Sequence, residues 1–330
     1  MLIKELLPRG FTMRPPTMED LEAVTRLVNT YEIAVDGMPE TTLDEMRTSW
    51  QMPDFHLDTD ARVVLSPEGE YVGVLEMSHR QHVKVYEYGC VHPDYQDRGI
   101  GSLLLQVAEE RALQHIPEAA PGARVSLGIG VSSKAVAAQR LLVEHGFQVV
   151  RHFWRMGIEL HEAPPVAQWA EGITVQTMVS GMERAVFEAD EEAFLDHWGH
   201  IPGTFDEWQH WTVKREGFDP SLWFLAMDGD QIAGFALCQD EKELGGWVHV
   251  LGVRRPWRRK GVGLALLHHA FAEFYRLGIR NVYLGVDAQS LTGATRLYER
   301  VGMHVVKEFK RYEKELRAGD ELSTQFVEEG

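Results

Sequence analysis

The sequence predicts an α/β protein made of two tandem copies of one domain-sized unit, and three observations carry that prediction. Residues 91–101 read VHPDYQDRGIG and residues 253–263 read VRRPWRRKGVG, so one segment occurs twice. Around it, Gly99, Gly101, Leu104, Leu105 and Ala108 match Gly261, Gly263, Leu266, Leu267 and Ala270 at a constant offset of 162, and Arg140, Leu141 and Gly146 match Arg296, Leu297 and Gly302 at 156. In both copies an apolar strand ending in valine precedes the glycines and an amphipathic helix follows them. A period of about 160 residues is duplication, not a solenoid, whose repeats run to roughly 20–50 residues. The offset changes across IPEAAPGAR, a loop that tolerates insertion.

The first copy begins at FTMRPPTMED, where Thr17 is placed to cap a helix near Met18 with Asp20 at its third position. Apolar runs at 61–65, 71–77 and 84–91 read as strands. After the glycines, Ile100, Leu103, Leu104 and Val107 fall on one helical face. A strand at 124–129, a helix at 135–144 stopped by Gly146, and closing strands to about residue 160 complete the unit. HEAPPVAQWAEG, residues 161–172, reads as a linker because its prolines break regular structure. The second copy repeats the order, with strands at 173–178, 222–227, 231–238, 246–253 and 282–286, helices from Val262 and up to Arg300, and final strands to about 315. The expected division is 1–160, linker 161–172, and 173–330. The polar tail after Arg317 is expected to be mobile.

Composition narrows the function. The chain has 330 residues, 44% of them apolar, enough for two cores. A formal charge of −17 repels nucleic acid and favours cationic partners. No apolar run reaches membrane-spanning length and MLIKELLPRG is too short for a secretory signal, so a cytoplasmic protein is expected. Two cysteines, Cys90 and Cys238, give no disulfide framework.

The repeated glycine turn suits an anion. Glycine lets the backbone approach closely, and first-turn amides have no partner inside the helix, so a pyrophosphate is the natural guest. With Gln96 to Gly101 and Arg258 to Gly263 each read as Gln or Arg, two residues, Gly, one residue, Gly, the chain resembles the GCN5-related N-acetyltransferase (GNAT) superfamily along most of both halves. That resemblance implies a mixed α/β sheet flanked by helices, acetyl-CoA in a cleft, and CoA as product. It implies that the amides of Arg259, Lys260, Gly261, Val262 and Gly263 hold the pyrophosphate, with charge from Arg258 and Lys260, and that Leu251, Gly252 and Val253 offer backbone groups to the pantetheine arm. In the first copy, Val91, Gln96, Arg98, Gly99, Ile100 and Gly101 would form a second cofactor site.

Tyr298 lies where the family places a tyrosine that protonates the departing thiolate; its counterpart Leu142 cannot donate, so the first copy is expected to be degenerate in catalysis. The family's glutamate base is replaced by Trp247, and by Val85 in the first copy. Trp247, His249 and Leu251 are expected to share a strand face, which makes His249 a candidate base, with Glu87 in the equivalent place. Ser290 stands where an asparagine often binds pantetheine, and Lys134 in the first copy. In DEEAFLDHWGHIPGTFDEWQHW, Asp190, Glu191, Glu192 and Asp196 beside Trp198, Trp208 and Trp211 suit a cationic amine. The spacing of Trp208 and Trp211 equally suits core packing. His197 with His200 and His79 with His82 lack a clear third and fourth ligand, so no metal is expected. The expectation is therefore an N-acetyltransferase acting by direct transfer to an amine, as monomer or homodimer. The alternative is a non-catalytic acyl-CoA sensor or interaction module, suggested by Leu142, Trp247 and Ser290 and opposed by Tyr298.

Overall fold

The structure, a computed structural model, describes residues 7–290 and 292–326. The chain divides into two compact units: unit 1 runs up to Arg151 and adds Phe309–Leu322, while unit 2 takes His152–Glu308 and the residues from Ser323 on. Unit 1 contains β1 (Thr12–Arg14), α1 (Leu21–Asp36), α2 (Leu43–Trp50), α3 (Leu57–Asp60), β2 (Ala61–Leu65), β3 (Tyr71–Arg80), β4 (Lys84–Val91), α4 (Ile100–Leu113), β5 (Val125–Ser132) and α5 (Val136–Glu144). Then β6 (Gln148–Glu159) leads into unit 2, with β7 (Ile173–Thr177), α6 (Glu183–Phe194), α7 (Phe205–Trp211), β8 (Trp223–Asp228), β9 (Gln231–Asp240), β10 (Gly246–Val253), α8 (Val262–Arg276), β11 (Asn281–Asp287), α9 (Ala294–Arg300) and β12 (His304–Arg317).

Each unit holds a mixed sheet, ordered β1-β2-β3-β4-β5-β12 in unit 1 and β6-β11-β10-β9-β8-β7 in unit 2. Among the described strand pairs within each unit, β4–β5 and β10–β11 are parallel and the others antiparallel. The closing strands are exchanged. Phe309–Arg317 of β12 pairs with β5, and residues 153–159 of β6 pair with β11, so each unit's sheet is completed by sequence belonging to the other copy. In unit 1 ion pairs fix the incoming strand: Lys84 Nζ lies 3.3 Å from Glu313, and Arg124 lies 3.0 Å from Glu313 and 2.9 Å from Glu315. The tail expected to be mobile is held as far as Gln325. The Arg124 amide donates to the Asp320 carbonyl at 2.8 Å, Lys84 reaches Glu321 at 3.0 Å, and Trp198 Nε1 donates to Gln325 Oε1 at 3.0 Å. Residues 327–330 of that tail lie outside the described residues.

The elements form where local chemistry places them. Thr42 opens α2 and Thr204 opens α7, 162 residues apart, with the same reciprocal cap. Each threonine hydroxyl accepts from the amide of Glu45 or Glu207, whose carboxylate accepts from the threonine amide. The duplication thus extends upstream of the glycine turns. At the first helix, the Thr17 amide donates to Asp20 Oδ2 at 2.7 Å, but the first turn is 3₁₀ and α1 proper starts at Leu21. In unit 2, Phe271 and Phe274 of α8 are 1% and 0% exposed against the sheet, each burial stabilising by about 1.5–3 kcal/mol. Residues 161–172 carry no helix or strand, though Trp169 and Ala170 pack on that core. Both cysteines are buried and free.

Candidate active site

The two glycine turns have one backbone conformation. A 3₁₀ turn (Pro93–Tyr95 or Arg255–Trp257) is followed by a left-handed residue, Asp97 at φ 58° or Arg259 at φ 63°. A left-handed glycine then caps the helix, Gly99 at φ 81° or Gly261 at φ 83°. Alternation of hand along a short segment turns successive N–H groups inward, forming a concavity for an anion at the helix N-terminus. A Cβ on Gly261 would meet nothing within 4 Å, so glycine there serves the backbone angle. Gly263 serves packing: its Cβ would lie 3.3 Å from Leu297 and 3.5 Å from Val253, as a Cβ on Gly101 would lie 3.2 Å from Leu141 and 3.9 Å from Val91.

The charge at the turn differs from expectation. Arg258 does not face the concavity freely: its guanidinium donates to the Val253 carbonyl at 3.0 Å, to Asp196 at 2.5 Å and to the Ala193 carbonyl at 3.0 Å. Asp196 also binds Arg255, and its hydrogen bonds to Arg255 and Arg258 pull the carboxyl down to about 2 despite burial. The pair ties the end of α6 to the turn. Arg259 and Lys260 are exposed and carry the remaining positive charge.

Beside the turn, the second half of β10 is paired on one side only. The strand follows β9 along its length, but pairs with β11 only at Gly246 and Trp247. Past Trp247 the two strands diverge, so the edge that holds Leu251, Gly252 and Val253 presents main-chain groups to an extended ligand. In unit 1, β4 leaves β5 after Glu87. A Cβ on Gly252 would lie 2.2 Å from the Phe235 ring, so only glycine fits.

A bulge between Val248 and Val250 interrupts the β9–β10 ladder, and it overturns the expected shared face. Gly246 and Val248 face α8 before the bulge, and Leu251 and Val253 face it afterwards. His249 instead stacks on Trp247, ring centroids 5.8 Å apart, on the opposite side from Leu251. The extra residue resets the period of two. β4 has no such bulge, so Glu87 stays on the face of Val85 and Val91 and is not the counterpart of His249. His249 Nε2 is 3.0 Å from Glu241 Oε1, and Arg215 holds the same oxygen at 2.8 Å. Burial would raise the Glu241 carboxyl, but the His249 hydrogen bond and Arg215 hold it below its usual range. Arg215 was not in the expected site; it lies in an irregular connection whose approach to His249 and Glu241 depends on the fold.

Tyr298 lies on α9, 7% exposed, in the core beneath the sheet, and burial pushes its phenol up to about 12. The Ser290 hydroxyl is engaged locally, 3.2 Å from Thr292 Oγ1 and accepting from the Ala294 amide at 3.3 Å. The acidic stretch is largely neutralised. Glu192 binds Arg254 at 2.6 Å, Glu191 lies 3.5 Å from His200, and Asp190 accepts from Trp208 Nε1 at 3.0 Å with burial raising it to about 7. Trp208 packs in the aromatic core with Phe187, Phe205 and Trp223, whereas Trp211 is 38% exposed and does not share that role.

Unit 1 contains a cavity of about 830 Å³ along the same path, bounded by Glu87, Gly99, Gly101, Lys134 and Leu142. Val91 and Gln96 line it too, and Arg98 covers Tyr95 from 4.7 Å. Ile100 is buried in the core behind the turn. Burial pushes the Glu87 carboxyl up to about 8.

A mixed sheet with a splayed parallel pair, an open strand edge and an amide-lined glycine turn at a helix N-terminus defines an acyl-CoA-handling protein; the residues present fit the pyrophosphate and the extended arm. Family comparison is specific: residues 27–147 and 184–303 match the acetyltransferase (GNAT) family, and the chain belongs to it. It resembles a GCN5-related N-acetyltransferase from Sphaerobacter thermophilus, 39% identical, TM-score 0.81, covering 97% of this chain and 100% of that one. A mycothiol acetyltransferase of Catenulispora acidiphila is 28% identical over 307 residues, 88% of this chain and 94% of its own. One of Geodermatophilus obscurus is 32% identical over 64% of this chain and 68% of its own. The fold also matches a tandem GNAT protein from the clavulanic acid biosynthesis pathway, TM-score 0.70 at 16% identity, with 94% and 100% coverage. The chain is an acetyl-CoA-dependent N-acetyltransferase, and no helix among the described residues is long and apolar enough to cross a membrane.

Proposed function

We propose that unit 2 carries the transfer and that its acceptor is a small cationic amine. The observation that carries the reading is the His249–Glu241 contact of 3.0 Å, set at a strand bulge next to the open edge of β10. Acetyl-CoA supplies an activated acyl group at that edge. Amides of Arg259 to Gly263 bind the pyrophosphate, and Leu251 to Val253 align the arm. His249, oriented by Glu241, takes the proton from the incoming ammonium, directly or through water. An N–H beside the bulge polarises the thioester carbonyl. Tyr298 donates toward the departing sulfur. Ser290 supports the loop that receives the arm. Direct transfer is favoured because Cys238, buried with its thiol raised, has no histidine partner among the described contacts. Free thiols at both cysteines suit a cytoplasmic protein, working as monomer or homodimer. The two relatives named mycothiol acetyltransferase support a small-molecule acceptor.

The test is acceptor-dependent thiol release from acetyl-CoA over polyamines, aminoglycosides, amino acids, peptide N-termini and the substrates of mycothiol acetyltransferases. Release with a small cationic amine supports the reading; none with any amine removes it. The unit 1 cavity favours a second, non-catalytic acyl-CoA site, which predicts two bound equivalents per chain by calorimetry and one in Gly99→Asp.

A further inference from the structure

Away from either cleft, three histidines of unit 1 converge. His79 lies near the end of β3, His82 in the turn between β3 and β4, and His115 just beyond α4. Their ligand nitrogens all lie within 4.8 Å of one another, and Nδ1 of His82 is 2.9 Å from Nδ1 of His115. The His79 and His82 rings are stacked at 4.0 Å between centroids, and His115 lies 4.7 Å from His79. We propose that His79, His82 and His115 form a binding site for a divalent transition cation of the Zn²⁺ class, with water completing the coordination.

Three imidazoles suit such an ion, and three protein ligands with one solvent position is a recurring arrangement for zinc. Two nitrogens bound tetrahedrally at about 2.0–2.1 Å stand roughly 3.3 Å apart. The 2.9 Å between His82 and His115 is close to that value and all three nitrogens lie within 4.8 Å, so reorientation of the stacked His79 and His82 rings, without movement of the backbone, is what an ion would require.

The turn supplies a second, independent observation. The Val83 amide donates to the Arg80 carbonyl at 3.0 Å, closing a two-residue hairpin turn in which Gln81 and His82 are both left-handed, at φ 47° and 57°. Such turns favour Asn-Gly, because a Cβ is disfavoured there. This turn keeps two long side chains and folds the second back over His79. Strain retained at one point, with a ligating side chain as its product, is what a binding role predicts. On the opposite side, the turn after α4 fixes His115: its amide donates to the Ala112 carbonyl at 3.1 Å, and its carbonyl accepts from Glu118 and Ala119. The nearby Arg111 is paired with Asp60 at 2.7 Å, which offsets a charge that would otherwise oppose a cation.

The experiment uses the full chain, stripped with a chelator, and titrates Zn²⁺ by calorimetry and Co²⁺ by visible absorption. One equivalent is expected, with cobalt bands of tetrahedral type and a thermal midpoint that rises with Zn²⁺. His82→Gly removes one ligand while suiting the left-handed turn, so the fold is retained; affinity should fall about a hundredfold or more and the thermal response should vanish. His115→Ala should do the same. Absence of stoichiometric binding by the parent, or undiminished binding by His82→Gly, overturns the site and marks any uptake as adventitious. Acetyl transfer is not a readout, so the result is independent of the reading of unit 2.

Discussion

Removing the Tyr298 hydroxyl probes how the leaving thiolate is stabilised. Tyr298→Phe keeps the ring, which is 7% exposed, so folding should change by less than about 1 kcal/mol. Burial has a chemical consequence. With its phenol pushed by burial to about 12, Tyr298 is protonated at neutral pH and is a weaker acid than an ordinary thiol near 8.5, so complete proton transfer to the thiolate is uphill by roughly 5 kcal/mol. Its help must therefore take the form of a hydrogen bond that strengthens as negative charge builds on sulfur, worth about 1.5–3 kcal/mol. That converts to a fall in kcat of about ten- to a hundred-and-fifty-fold at unchanged acetyl-CoA affinity. The same value predicts no loss of rate from Tyr298 ionisation below about pH 11. Thiol release under saturating substrates, with calorimetry for binding, gives both quantities. A variant within twofold of the parent in kcat, or one that loses affinity in place of turnover, would refute the role.

Further outcomes are open to measurement. Gly261→Asp should cut acetyl-CoA affinity in unit 2 by about a hundredfold, because the left-handed angle is strained for any side chain and a carboxylate opposes phosphate; equal calorimetric affinity would remove the glycine turn from binding. His249→Ala should lower kcat and flatten the alkaline rise of the pH–rate profile, and Glu241→Gln should reproduce part of the loss; an unchanged profile in a folded His249→Ala variant would exclude it as base. The Arg255 and Arg258 hydrogen bonds hold the Asp196 carboxyl at about 2 in the folded protein against 3.8 otherwise, so it contributes roughly 2 kcal/mol that is fully present above about pH 5 and lost as pH falls through about 2. Asp196→Asn should therefore be less stable at pH 7 and show a flatter acid limb in urea titrations; a parental limb would contradict the clamp.

The strands, the glycine turns and the helices that follow them were legible because their signals are local. Alternation marks β4, and a 3.6-residue period marks α8. The bulge at His249 was not legible, since a valine-rich strand reads the same with or without an extra residue and only the pairing with β9 reveals it. The same limit hid the partners of Arg258: nothing within RRKGVG signals that its first arginine is claimed by Asp196, 62 residues upstream. Trp211 was misleading for a related reason. Helical spacing from Trp208 indicates a common face only in a helix long enough to bury it, and α7 has seven residues. His79 and His82 were visible as a pair, but His115 comes 33 residues after His82 and joins them only through the packing of α4.

The exchanged strands bear on how the chain reaches this state. β5 finds its neighbour in β12, about 180 residues further along, and β11 finds its neighbour in β6, about 130 residues earlier. Contacts of such range raise contact order, and their loop closure must precede any stabilisation from them, so folding should be slow and should involve both halves together. During synthesis, β5 waits with an unpaired edge, a template for association with other chains, until β12 emerges. Cutting the gene within 161–172, the natural place to separate the halves, would leave each product without the strand that closes its sheet. An excision that follows the exchange, ending after β5 and α5 with β12 grafted on, is the version of unit 1 that should stay soluble.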